Sequence, residues 1–223
     1  MKLNLLTKNK KIASDVIRVI FIILLFLIVS ISLYLYTINV IVSSMFGDMS
    51  YLPKEEVIKN YEINKDKIHA LAHYTRLILP KNHHISLEYT SDGKIDRLEL
   101  FKMNSQNETV KAIINLFDDT DIHNIKIIQA IRQINWTVDT LKTLRNKLRE
   151  SNCISVTIDN RSPIYIGAGR SGLGMYGYRI YTKGLSKIEQ NRQNSYCQSL
   201  VIDEKAVLEY GSGAIGSDCM PNK

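Results

Sequence analysis

Between Val19 and Val42 the chain shows no polar face at any period: Ile, Leu, Phe and Val dominate, and no side chain from Val19 to Gly47 is charged. At ~1.5 Å rise per residue such a run is about 36 Å long as a helix, more than the ~30 Å hydrocarbon core of a bilayer. Ser30, Ser32, Thr37 and Asn39 dilute its second half. Hydroxyls can bond back to helical carbonyls, however, and Tyr34 and Tyr36 suit the headgroup level. The pattern predicts a transmembrane signal anchor over residues 19–44.

Beyond it the apolar positions become periodic. Val57, Ile58, Tyr61, Ile68, Leu71, Ala72 and Leu79 recur at spacings of three and four. They predict one long or broken helix, opened by Pro53 at its first position and ended by Pro80. The period changes to two at Ile85, Leu87 and Tyr89; Ser91-Asp92-Gly93-Lys94 makes a turn, and the run from Ile95 to Met103 returns as a second strand. Val110, Ile113, Ile114 and Phe117 resume helical spacing, and a further helical piece is expected after Asp118-Asp119-Thr120-Asp121, capped by Asp121. Thr137 can cap the clearest helix of the chain, with Trp136 packed on Leu141; Leu141, Leu144 and Leu148 share its face, and it should end near Ser151-Asn152.

After Asn152 the pattern is β to the end of the chain: Ile154 to Ile158, Ile164 to Ile166, Met175 to Thr182, and a hairpin of Leu200–Ile202 with Ala206–Tyr210 around Asp203-Glu204-Lys205. Helices grouped early and strands joined in series by short turns predict an α+β fold. The expected organisation is a cytoplasmic tail (1–18), the anchor (19–44) and one exported domain (48–223) with helices and a mainly antiparallel sheet.

Composition excludes disorder, since 45% of residues are hydrophobic and 23% charged. The net charge of +7 is uneven: residues 1–18 hold Lys2, Lys8, Lys10, Lys11 and Arg18 against Asp15 alone, more than half of the excess. That imbalance before the apolar run orients it with the N-terminus in the cytoplasm and the domain outside, periplasmic or extracellular. It leaves no basic cluster in the domain for a nucleic acid. Abundant Ile and Asn point to an AT-rich bacterial genome, hence to an inner-membrane, single-pass protein.

The motifs that carry chemistry fail in context. Gly167-Ala168-Gly169-Arg170-Ser171-Gly172 fits G-x-G-x-x-G, but a dinucleotide loop must open a helix, and Leu173 to Tyr178 reads as strand. No nucleotide is expected there; the glycines are read as a connection between strands. Ser171 has Leu173 where the last glycine of a nucleophile elbow belongs, and no helix follows it. His69 and His73 are one helical turn apart, yet Ala70 stands where a zincin has Glu. Asp118, Asp119 and Asp121 lack the glycine and spacing of a calcium loop. Neither a metal nor a cofactor is expected.

Export would place the three cysteines in an oxidising compartment. Cys197 begins the last hairpin and Cys219 follows it through a Gly/Ser-rich segment, so these two are expected to form a disulfide with Cys153 left as a buried thiol. Closing that loop is worth about 3 kcal/mol in the entropy model. What remains is a membrane-anchored binding domain whose partner is another envelope component or protein. An envelope hydrolase assembled only by folding and an immunity-type inhibitor are the alternatives. Arg170, Tyr176, Tyr178 and Arg179, guanidiniums and aromatics beside glycines, are the candidate contact surface.

Overall fold

The computed structural model describes residues 23–38, 52–106, 108–159, 163–171, 174–211 and 219–220, and divides into two compact units, 1–49 and 50–223. In the first unit residues 23–38 form helix α1. Its large apolar side chains, from Ile23 to Ile38, are exposed, and Thr37 Oγ1 donates back to the carbonyls of Leu33 (3.0 Å) and Tyr34 (2.8 Å). The described stretch would be about 24 Å long, and among the described residues no helix is long and apolar enough to cross a membrane. The expected tail 1–18, and positions 19–22 and 39–44 of the expected anchor, lie outside the described residues.

The second unit is α+β. Helix α2 (Lys54–Ile78) starts after Pro53, whose carbonyl accepts from Glu56 and Val57, and stops at Leu79 before Pro80. Strands β1 (His83–Tyr89) and β2 (Ile95–Met103) form the expected hairpin, with Gly93 at φ +85° in its turn. Then come β3 (Thr109–Thr120), α3 (Ile125–Arg132), α4 (Val138–Glu150), β4 (Ser155–Ile158), β5 (Ile164–Ser171), β6 (Gly174–Ile180), α5 (Lys187–Ser195), β7 (Ser199–Asp203) and β8 (Ala206–Gly211). The eight strands form one antiparallel sheet in the order β3-β2-β1-β4-β5-β6-β8-β7.

One face of this sheet carries the core. Ile85 and Leu87 lie opposite Leu100 and Leu98 on one side and Ile158 and Val156 on the other. Ile166 continues the row to Tyr178 and then Leu208. All of these are buried with Val57, Ile68 and Leu71 of α2, Ile127 and Ile131 of α3, and Leu141, Leu144 and Leu148 of α4. Polar groups close the layer. Trp136 Nε1 donates to the Ile78 carbonyl (2.8 Å), tying the end of α2 to the start of α4, and Tyr89 Oη donates to the Leu141 carbonyl (2.8 Å). Thr137 caps α4 in a reciprocal box with Thr140, and Ser151 ends it as expected.

Three elements depart from expectation. Residues 110–117 are strand, and β3 carries bulges there: Ile114 lies opposite Leu100 and Ala112 opposite Phe101, so Ile113 is an extra residue, and Val110 is another between Lys111 and Thr109. An inserted residue shifts a period-two pattern by one, and Val110, Ile113, Ile114 and Phe117 thereby mimic helical spacing. The cap of α3 is Asn124, whose side chain accepts from Lys126 N; Asp121 instead accepts from His123 N in the preceding turn. Finally, α5 interrupts what reads as continuous β structure. Its signal was a Ser186/Glu189 capping box, but the helix buries no residue, so no apolar stripe announces it.

The tail is fastened as expected. Cys197 and Cys219 are disulfide-bonded, with Cα atoms 4.9 Å apart, and Cys153 is a buried free thiol that burial pushes up to about 12. The adjoining Met220 is buried and its N–H donates to the Cys197 carbonyl (3.0 Å). The Gly/Ser-rich residues 212–218 between lie outside the described residues.

Candidate ligand groove

Side chains alternate along a strand, so the core pattern fixes what the other face presents. In β1 the off-core positions are His84, Ser86 and Glu88; they lie opposite Phe101, Glu99 and Arg97 of β2, and Ser86 and Glu88 also oppose Thr157 and Ser155 of β4. Tyr165 and Gly167 continue the row on β5, Arg179 and Gly177 on β6, and Glu209 on β8. All of these except Phe101, Gly167 and Gly177 line a groove of about 610 Å³ together with Asp159, Met175 and Gln198. It crosses from β2 to β8, five strand spacings or about 24 Å at ~4.8 Å each.

The floor is built from small residues. Ser86 Oγ and Thr157 Oγ1 share a hydrogen bond (2.9 Å), and Ser155 Oγ donates to Met175 Sδ (3.6 Å). Gly167 and Gly177 are direct cross-strand neighbours. A Cβ on Gly167 would stand 2.1 Å from Ser155 Oγ, and one on Gly177 would stand 2.3 Å from Tyr165 Cζ. Tyr165 pairs with Arg179, two positions from Gly177. Its ring therefore lies along the sheet surface, and only the missing side chain at 177 permits it.

Charges ring that floor in pairs. Glu88, 3% exposed, receives Arg170 Nη2 (2.8 Å) and Nε (3.0 Å) on one oxygen and Arg97 Nη2 (3.1 Å) on the other; Arg170 Nη2 also reaches Asp96 (3.1 Å). Burial pushes Glu88 above the usual carboxylate range while the two guanidiniums pull it back. Arg97 also stacks on Phe117 (5.6 Å), Arg179 pairs with Glu209, and the ring of His84 stacks on Phe101 (5.8 Å, 29°). Burial holds His84 below its ordinary value, against the pull of Asp159 and Glu99.

The four residues expected as a contact surface are divided by the sheet. Arg179 faces the groove, and Arg170 stands at its end in the Glu88 network. Tyr176 and Tyr178 are fully buried on the helix side, which corrects their expected exposure. Tyr178 Oη donates to the Val57 carbonyl (2.7 Å) and Tyr176 packs against Tyr210 (4.8 Å between ring centres). Residues 176, 178 and 179 are neighbours in sequence but belong to opposite faces of β6.

The remaining candidates are structural. Ser171 is buried and donates to the Leu52 carbonyl (3.2 Å). His69 Nε2 bonds Tyr61 Oη (2.9 Å), whereas His73 is exposed. Among the described residues no three His, Cys, Asp or Glu side chains are grouped to hold a metal ion. The Gly167–Ser171 stretch is itself strand β5, and β6 begins at Gly174 where a nucleotide loop would open a helix.

Sequence reading missed Glu88, Arg97, His84 and Tyr165. One signal could have found them: among the off-core positions of β1 and β4, three (Ser86, Ser155 and Thr157) are small and uncharged. Compared with protein-family models, curated proteins and solved structures, the chain matches none.

Proposed function

We propose that this chain is a single-pass membrane protein of a bacterial cell envelope whose exported domain binds another envelope component in the open-face groove. The basic residues ahead of the apolar run support the anchor and its orientation, and the Cys197–Cys219 bridge suits an oxidising compartment. The observation that carries the binding role is the groove. Polar groups converge there from six strands, yet they are matched to one another as Glu88 with Arg97 and Arg170, and Arg179 with Glu209. The two groups whose titration burial perturbs, His84 and Glu88, are four residues apart on one strand, about 13 Å at ~3.3 Å per residue. General acid and base must both reach the reacting atoms within hydrogen-bonding distance; that separation favours binding over hydrolysis.

Two measurements test the reading. With the outer membrane permeabilised and the inner one intact, added protease should digest residues 52–223; protection would reverse the topology. A photo-crosslinking residue at Thr157, on the groove floor, should give an adduct in intact cells that the same residue at the exposed Arg132 of α3 does not. Equal labelling, or none at Thr157, would sink the groove as the binding site.

A further inference from the structure

The charges that line the groove constrain its ligand. Glu88, Glu99, Asp159 and Glu209 face Arg97 and Arg179, an acidic excess that disfavours phosphates and carboxylates. A cationic ligand would have to compete with the guanidiniums already on Glu88 and Glu209. What these pairs still offer is a carboxylate lone pair beside a guanidinium N–H. A hydroxyl, which donates and accepts at once, is matched to that arrangement. The ring of Tyr165, laid over Gly177, adds a flat apolar surface in the same groove. The groove runs across β2 to β8, which are interior strands paired on both sides, so an extended peptide lying in it would find no edge to pair with.

We propose that the groove binds a neutral, hydroxyl-rich carbohydrate chain, with one sugar ring stacked on Tyr165, the hydroxyls at that end on the Arg179–Glu209 pair and Gln198, and those of a further sugar toward Glu99. This rests on the groove being the binding site, as argued above, and names its ligand class. Burial of a sugar's C–H face on an aromatic ring supplies affinity, while the paired charges select orientation.

The test is calorimetric titration of the full chain in a polyoxyethylene detergent, which has no sugar headgroup to compete. The probes are maltotriose, cellotriose and the trimer of N-acetylglucosamine, against trilysine and triglutamate. At least one neutral trimer should bind saturably, and hydrogen exchange should slow in β1, β4, β5 and β6. Tyr165→Ala should weaken that binding about tenfold and Tyr165→Phe should leave it within about twofold. Glu99→Gln, which keeps an acceptor, should change it by less than about threefold. If Tyr165→Ala does not fold, Thr157→Arg, placing a long cation on the floor, must abolish binding. Trilysine binding alone, lost in Glu99→Gln, would overturn the carbohydrate class and keep the groove. Failure of every neutral trimer while the Thr157 crosslink persists would do the same; failure of both would remove the site as well.

Discussion

The two faces of the sheet are made by the same strands and obey different rules. On the helix side each position needs only to be apolar and of suitable size: Ile85, Leu87, Val156, Ile166 and Leu208 are interchangeable in kind, and three helices cover them. On the groove side each residue answers to particular neighbours. Glu88 is tolerated because Arg97 and Arg170 both reach it, and Gly177 is required because Tyr165 lies where its side chain would be. A face built from burial is robust and says little about function; a face built from pairs is fragile and says much.

The sharpest contrast comes from adjacent residues of β1. Leu87 is fully buried, and Leu87→Ala should cost about 2–5 kcal/mol through lost transfer energy and the cavity left behind. Ser86, next to it on the other face, loses only its bond to Thr157 on conversion to Ala, about 1 kcal/mol or less because Thr157 still reaches water in the groove. Urea titrations of the two variants measure the difference. Equal costs would mean that the faces are not energetically distinct.

Within the groove the largest effect should come from Glu88→Gln. Breaking a buried ion pair typically costs 3–5 kcal/mol by leaving a charge uncompensated. Here burial already holds the Glu88 carboxyl above its usual range and Arg97 and Arg170 are partly exposed, so a smaller loss of about 1–2 kcal/mol is expected by the same denaturation. Arg170→Ala, which leaves Arg97 on the carboxylate, should cost about 1 kcal/mol or less, as for exposed ion pairs. A smaller loss for Glu88→Gln than for Arg170→Ala would show that the network does not hold this end of the groove together.

How legible each face was in the sequence follows from this difference. The core side could be read from alternation alone, and Ile85, Leu87, Leu141, Leu144 and Leu148 were placed on it correctly because burial is a local property of a pattern. The α4 cap at Thr137 and the Cys197–Cys219 bridge were legible for the same reason, since each needs only a few residues and a compartment. The groove was not. Glu88 meets Arg170 82 positions later, and nothing local distinguishes that pair from two solvated charges. Tyr176 and Tyr178 were misassigned because their neighbours Gly177 and Arg179 are polar or small, and a strand alternates faces between one residue and the next. In β3 bulges at Val110 and Ile113 were enough to disguise a strand as a helix.

Gly177→Ala tests a constraint that only the fold reveals. Its Cβ would overlap the phenol end of Tyr165, and overpacking of this kind costs roughly 1–3 kcal/mol. The lower end is expected, since the Tyr165 side chain can lift away from the sheet. That displacement should also reduce any binding measured in the groove by about the same factor as Tyr165→Ala, whereas Gly184→Ala, at an open surface position, should change neither stability nor binding. Unaltered groove binding in Gly177→Ala would mean that the ring's position does not matter.

The smallest expected effect is in pH dependence, where the buried histidines and Glu88 act with opposite sign. Burial holds His84, on the groove side, and His69, on α2, below their ordinary values. The unfolded chain therefore takes up protons near pH 6.5 where the folded one does not, so stability is full above that value and is lost as pH falls toward the depressed folded values. Glu88 works the other way. Raised by burial, it keeps its proton to a higher pH in the folded state than in the unfolded one, so its contribution declines as pH rises from about 4.5. Between pH 7.5 and 6 the histidines should dominate, giving a Tm that falls with acidification. His84→Gln and His69→Gln should each flatten that slope, whereas Glu88→Gln, whose linkage has the opposite sign above about pH 4.5, should not. A slope unchanged by both histidine substitutions would show that neither imidazole carries a buried penalty, and would remove His84 from the desolvated part of the groove.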